Sequence, residues 1–116
     1  NADDDILIAG STAHDDYAAA VAQIMAEWTS ARSYADRTAN LRGTESGAAF
    51  AGRANGNVFL RVDGGAATVF EDLARDVLTG DTGRDWFFAN TDAEFRDRIT
   101  DLSSSEFVDD LDFILL

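Results

Sequence analysis

Phe59-Leu60-Arg61, Thr68-Val69-Phe70, Val77-Leu78-Thr79 and Trp86-Phe87-Phe88 recur at a fixed step, beginning at residues 59, 68, 77 and 86. Turn formers fill the gaps: Asp63-Gly64-Gly65, then residues 72–75, then Gly80-Asp81-Thr82-Gly83. A nine-residue unit of one turn and one three-residue strand is too short to bury its own apolar side. It has to stack on its neighbours, so the register predicts a solenoid.

Outward from this stretch the chain divides into parts. Residues 1–10 read as a degenerate repeat, an acidic turn followed by the strand Ile6-Leu7-Ile8. Residues 11–56 read as a helical insertion and a loop. Thr12 with Asp15 has the spacing of a capping box, and Tyr17, Val21, Ile24, Met25 and Trp28 follow at helical spacing, which predicts the core face of an amphipathic helix. Ser33 is placed to cap a second helix carrying Tyr34, Thr38 and Leu41 on one side, and Gly43 to stop it. Residues 43–56, rich in Gly, Ala and Ser, read as loop. Residues 57–88 hold the coils, and residues 89–116 a C-terminal cap. The 116 residues fit a single domain.

Composition narrows the function. Asp and Glu total 22 against 9 Lys and Arg, a net charge of -13. Such a surface repels phosphate backbones, so no nucleic-acid partner is expected. It also repels itself, which favours a fold that takes up multivalent cations. With no Cys there are no disulfides, zinc thiolates or thiol catalysis. No apolar run is long enough to span a membrane. His14 is the only histidine, no G-x-S-x-G elbow accompanies it, and neither a Walker A loop nor zinc spacing is present. An EF-hand at residues 81–92 fails, because Trp86 stands where that loop needs Gly. No catalytic residue is expected, and the chain reads as non-enzymatic.

Gly80-Asp81-Thr82-Gly83-Arg84-Asp85-Trp86-Phe87-Phe88 resembles the RTX (repeats-in-toxin) nonapeptide G-G-x-G-x-D-x-U-x, with Asp81 in place of the second Gly. The preceding nine keep Asp76 and Leu78. Residues 62–70 keep Gly64 and Gly65 but have Ala67 where Asp belongs. Asn1-Ala2-Asp3-Asp4-Asp5-Ile6-Leu7-Ile8 resembles a repeat lacking its first residue. The resemblance implies an α+β fold built on a short calcium-binding parallel β-roll, a β-solenoid, with an inserted or capping amphipathic helix. Turns two repeats apart then stack, Asp63-Gly64-Gly65 on Asp81-Thr82-Gly83. Calcium is the implied cofactor, with Asp85, Gly83, Gly80, Asp81, Asp76, Asp63, Gly65, Asp5 and Asp97 as its implied ligands. Asp76 and Asp97 would serve the side opposite Asp85.

The ending Asp109-Asp110-Leu111-Asp112-Phe113-Ile114-Leu115-Leu116 resembles the C-terminus of proteins exported by type I secretion. The resemblance implies a calcium-binding structural, capping and secretion module of a larger secreted protein. It would fold on calcium outside the cell, and its partners would be calcium ions, the rest of the parent chain and the type I secretion machinery. The alternative is a calcium-independent interaction or adhesion module.

Overall fold

Four consecutive apolar residues, Trp86 to Ala89, offer solvent no polar face, so a strand built from them has to be covered on both sides. The computed structural model describes residues 3–44, 47–62, 66–91 and 96–111. Its elements are β1 (Ile6–Ile8), β2 (Gly10–Thr12), α1 (Ala18–Trp28), α2 (Tyr34–Arg42), α3 (Ala48–Ala51), β3 (Val69–Glu71), β4 (Val77–Leu78), β5 (Trp86–Ala89), β6 (Arg98–Ile99) and β7 (Phe107–Asp110). The apolar strand β5 lies at the centre of a three-stranded sheet of order β1-β5-β7. Both pairings are parallel, with Ile6 and Phe107 each opposite Trp86. Strands β4 and β6 form a second parallel pair, and β2 and β3 an antiparallel one.

The chain is therefore α+β with short strands in mixed sheets, and the expected β-roll is not formed. In a roll, residues 68–70 would stack on residues 86–88, two repeats on. Instead Val69–Glu71 runs antiparallel to Gly10–Thr12, and Phe59-Leu60-Arg61 forms no strand. Strands do form at 69, 77 and 86, within one residue of the expected starts at 68, 77 and 86. The nine-residue step does not choose their partners. Burial chooses them, because the wholly apolar β5 needs neighbours that can share a core, and Ile6-Leu7-Ile8 and Phe107-Val108 supply them. Hydrogen bonds join residues 76 with 97, 79 with 100, 80 with 101 and 85 with 106, all twenty-one positions apart.

The helices partly follow their expected faces. On α1, Ile24 and Trp28 are buried, whereas Tyr17, Val21 and Met25 are exposed. The single core stripe read from the sequence is thus two stripes, one facing in and one facing out, and Met25 does not help to cap a core edge. The Thr12–Asp15 pair forms both a backbone and a hydroxyl bond (3.0 and 2.7 Å), but Thr12 ends β2. The pair closes the turn before α1 and caps no helix.

Ser33 does cap α2, its hydroxyl accepting from Asp36 N at 3.1 Å, and Gly43 ends that helix in the left-handed conformation at φ 70°. Tyr34, Thr38 and Leu41 are all buried. Ser33→Ala is expected to cost about 1 kcal/mol, read from urea unfolding. A cost near zero would mean that packing alone holds the helix start. Within the stretch expected as loop, Ala48-Ala49-Phe50-Ala51 winds into α3, consistent with the helix propensity of alanine.

Around β5 the core gathers Ile24, Trp28, Tyr34, Leu41, Leu60, Val69 and Leu111. The Trp28 ring lies 5.8 Å from Tyr34 and 5.9 Å from Trp86. Arg42 lies over the rings of Trp86 and Phe107 and pairs with Asp109 through two nitrogens.

Candidate functional site

An acid stands immediately before every described strand of the two parallel sheets: Asp5, Asp76, Asp85, Asp97 and Glu106 precede β1, β4, β5, β6 and β7. These acids engage one another across the sheets. Asp85 Oδ1 accepts from Asp5 N at 2.8 Å, Glu106 Oε2 accepts from Asp85 N at 2.7 Å, and Asp97 Oδ1 accepts from Asp76 N at 2.7 Å. Each bond is a charged acceptor on a backbone donor, stronger than a neutral pair. It satisfies an amide at the strand start, where the ladder has not yet begun.

The Asp85 group is the more enclosed. Asp85 is 0 % exposed, and its Oδ2 is buried with no hydrogen-bond partner among the described residues. That oxygen lies against Gly80, where a Cβ would collide with it, so glycine is what leaves room for the carboxylate. Tyr34 locks the neighbouring backbone: its hydroxyl donates to Asp85 O at 2.7 Å and accepts from Phe107 N at 2.9 Å. Burial, with the Glu106 and Asp5 carboxylates adding to it, pushes the Asp85 carboxyl up to about 6, against the pull of the Asp5 N–H. Alongside, Arg84 N donates to Asp4 Oδ1 at 2.7 Å. Burial raises the Asp4 carboxyl, but bonds from Arg37 and Arg84 outweigh it and hold the group below its ordinary value.

The second group surrounds Asp76. Asp97 accepts from Asp76 N through one oxygen and from Asn90 N through the other, at 2.8 Å. Asp76 Oδ2 and Glu71 Oε2 are buried without hydrogen-bond partners among the described residues. Burial, with Asp72 and Asp97 close by, raises both the Asp76 and the Glu71 carboxyl above the usual range. Among the described residues, no set of three or more His, Cys, Asp or Glu side chains is arranged to hold a metal ion. An ion at either group would draw its remaining oxygens from backbone carbonyls and water.

Several residues singled out from the sequence do meet. Asp5, Gly80 and Asp85 touch, and Asp76 meets Asp97. Gly83, at φ 100°, packs against the Asp3 carbonyl. Asp81 occupies the left-handed region at φ 66°, a conformation that Asp tolerates better than most side chains. Its N–H, with that of Gly80, is held by the Asp101 carboxylate. Asp63 and Gly65, and with them the expected stacking on Asp81-Thr82-Gly83, lie outside the described residues, as do residues 112–116.

Glu106 and Asp101 were missed. The readable signal was an acid directly before an aromatic strand, Glu106-Phe107 like Asp85-Trp86. A search for Asp at nine-residue steps passes over it. His14 Nε2 meets Phe59 O at 2.9 Å, a backbone contact that positions this histidine against the segment after α3. No family model, no curated protein and no solved structure matches the chain.

Proposed function

We propose that this chain is a non-catalytic, calcium-binding structural module of an extracellular protein. The observation that supports it is Asp85 Oδ2, a carboxylate oxygen in a fully buried residue, without a hydrogen-bond partner among the described residues and beside a second carboxylate, that of Glu106. A buried charge left so is costly, and a proton or a cation relieves the cost. Calcium, a hard cation that accepts carboxylate and carbonyl oxygens, suits this donor set. When bound, it supplies positive charge at the strand starts. Asp85 would hold it there through Oδ2 while Oδ1 keeps the Asp5 amide, and Glu106 would share in it through remaining lone pairs, since its two oxygens already accept from Asp85 N and Ser103 N. Asp76 and Glu71, each with Asp72 and Asp97 close by, are the further candidate carboxylates. An extracellular setting, with export of the parent chain by type I secretion, belongs to the same proposal, because a weak site fills where calcium is near the 0.1–1 mM range typical of extracellular modules.

The test is thermal unfolding at pH 7 in chelator, calcium and magnesium, with Asp85→Asn alongside. Calcium should raise the melting temperature of the wild-type chain, because a ligand bound only to the native state stabilises it. Asp85→Asn should lose most of that response. In chelator the variant should be at least as stable as wild type, since asparagine keeps the acceptor for Asp5 N and carries no buried charge.

The pH dependence has a definite sign. The Asp85 carboxyl titrates at about 6 in the fold, against an ordinary value of 3.8. Its contribution is full below the ordinary value and is lost as pH rises through about 6. Calcium-free wild type should therefore gain stability from pH 7 down to pH 5, and Asp85→Asn should gain less. Asp76 and Glu71, also raised, preserve part of the slope. Equal melting temperatures in calcium and chelator, with no heat of calcium binding, would sink the proposal.

A further inference from the structure

The two outer strands of the three-stranded sheet are guarded differently. On β7, Asp109 is paired with Arg42, and Asp110 accepts from Thr91 N at 3.0 Å. Charges of this kind deter an incoming strand. On β1 the residues are Ile6, Leu7 and Ile8, all apolar and all half-buried, whereas β5 beside them is fully buried. Asp5 O accepts from Trp86 N at 2.8 Å, and Ala9 N donates to Phe88 O at 2.9 Å. In a parallel ladder the bonding groups come from alternate residues. Leu7 therefore turns its N–H and C=O toward β5, and Ile6 and Ile8 turn theirs to the outer edge.

A cleft of about 610 Å³ opens beside the start of this edge, lined among others by Asp3, Asp4, Asp5, Ile6, Met25 and Arg37. Arg37 pairs with Asp4 at 2.7 Å, and the Trp28 indole N–H donates to Asp4 O at 2.8 Å, which leaves the edge from Ile6 onward for pairing. The helical wall of the cleft continues along the exposed face of α1 through Met25, Val21 and Tyr17, the last of them 65 % exposed. A strand edge that no described strand covers, an apolar wall and a net-acidic cleft thus share one place.

We propose that the outer edge of β1 binds an extended segment of a partner protein in which apolar residues alternate with lysine or arginine. Main-chain bonds to Ile6 and Ile8 supply the pairing, as in other strand additions. Apolar side chains on one face of the added strand meet Ile6 and Met25, and the excess of three carboxylates (Asp3, Asp4, Asp5) over the single Arg37 in the cleft favours basic ones on the other. The net charge of -13 excludes acidic segments and opposes a second copy of this chain at the edge. The inference does not depend on calcium.

The test uses the full chain, labelled with ¹⁵N, in chelator, and a capped Val-Lys-Val-Lys-Val-Lys peptide. On binding, amide exchange at Ile6 and Ile8 should slow by about tenfold or more, while Leu7, already in the ladder, changes little. A Val-Glu peptide should not bind. A lysine peptide with alternate amides N-methylated should bind at least about tenfold more weakly, the loss of about 1.4 kcal/mol or more. Ile8→Pro removes an outward N–H and spares the bonds to β5, so it should fold and lose the peptide. If that variant does not fold, the exchange at Ile6 and Ile8 in wild type decides. Equal binding of the N-methylated peptide, with shifts scattered over the acidic surface, would overturn the proposal in favour of unspecific charge attraction. Protection of Ile6 and Ile8 that grows with protein concentration and no peptide would overturn it in favour of self-association.

Discussion

Glu27→Ala is expected to remove about 3 kcal/mol of stability, because it strips the acceptor from the buried Asn40 amide and from Ala54 N and takes the partner of the part-exposed Arg32. For a domain whose whole stability is about 5–15 kcal/mol, that is a large fraction of the total. Glu27 is completely buried and fully engaged. It accepts from Arg32 Nε and Nη2 at 2.8 and 2.5 Å, from Ala54 N at 2.8 Å and from Asn40 Nδ2 at 3.2 Å. One carboxylate thereby ties α1 to α2 and to the segment after α3. Asn40 extends the tie by donating to Ala49 O, and Asn55 donates to Asn40 O. Burial alone would raise the Glu27 carboxyl, but the Arg32, Ala54 and Asn40 bonds outweigh it and hold the group below its ordinary value. Its contribution is thus present above the ordinary value of 4.5 and is lost as pH falls through the depressed one. Urea unfolding at pH 7 measures the loss, and at pH 3 the difference between variant and wild type should shrink. A loss below about 1 kcal/mol at pH 7 would mean that helix packing, and not this carboxylate, holds the three helices together.

The second large effect is expected at Trp86. Trp86→Ala should cost about 3–5 kcal/mol, because it empties the centre of the sheet where the surroundings collapse only in part. The ring is fully buried, lies 4.6 Å from Phe88 and 5.9 Å from Trp28, and has the Arg42 guanidinium over it at 5.3 Å. Trp86→Phe is the informative control. It keeps an aromatic ring and discards a buried Nε1–H that has no partner among the described residues, so part of the lost packing is offset by removing that donor. Thermal unfolding should place the Phe variant within about 1.5 kcal/mol of wild type. A Phe variant as unstable as the Ala variant would show that the indole shape, more than apolar volume, sets the sheet.

These residues also show what was readable. Ser33 as a cap, Gly43 as a stop and the buried Tyr34-Thr38-Leu41 side of α2 follow from neighbours within one or two helical turns. The strands at 69, 77 and 86 follow from local alternation of turn formers and apolar residues. The acids before β4, β5 and β6 were picked out because an acid at the head of an apolar triplet is a local pattern. The outward stripe of α1 was not readable. Tyr17, Val21 and Met25 are as apolar as Ile24 and Trp28, and only the position of the sheet decides which stripe is covered. Glu106 escaped for a similar reason. Its partner Asp85 lies twenty-one residues away, and nothing local announces that offset.

A nine-residue rhythm thus carries the positions of strands but not their pairing. Turn chemistry and side-chain alternation act over a few residues, so composition and spacing were enough to establish an acidic, cysteine-free α+β chain with an acid before its apolar strands. Pairing is settled by which apolar strands can share one core once the chain closes on itself. That is why β5 lies between β1 and β7, why β3 turns back on β2 instead of stacking in a roll, and why Asp85 is enclosed with one oxygen unpartnered among the described residues. Closing long loops and burying Trp86, Phe87 and Phe88 are properties of the whole chain, and no nine-residue window contains them.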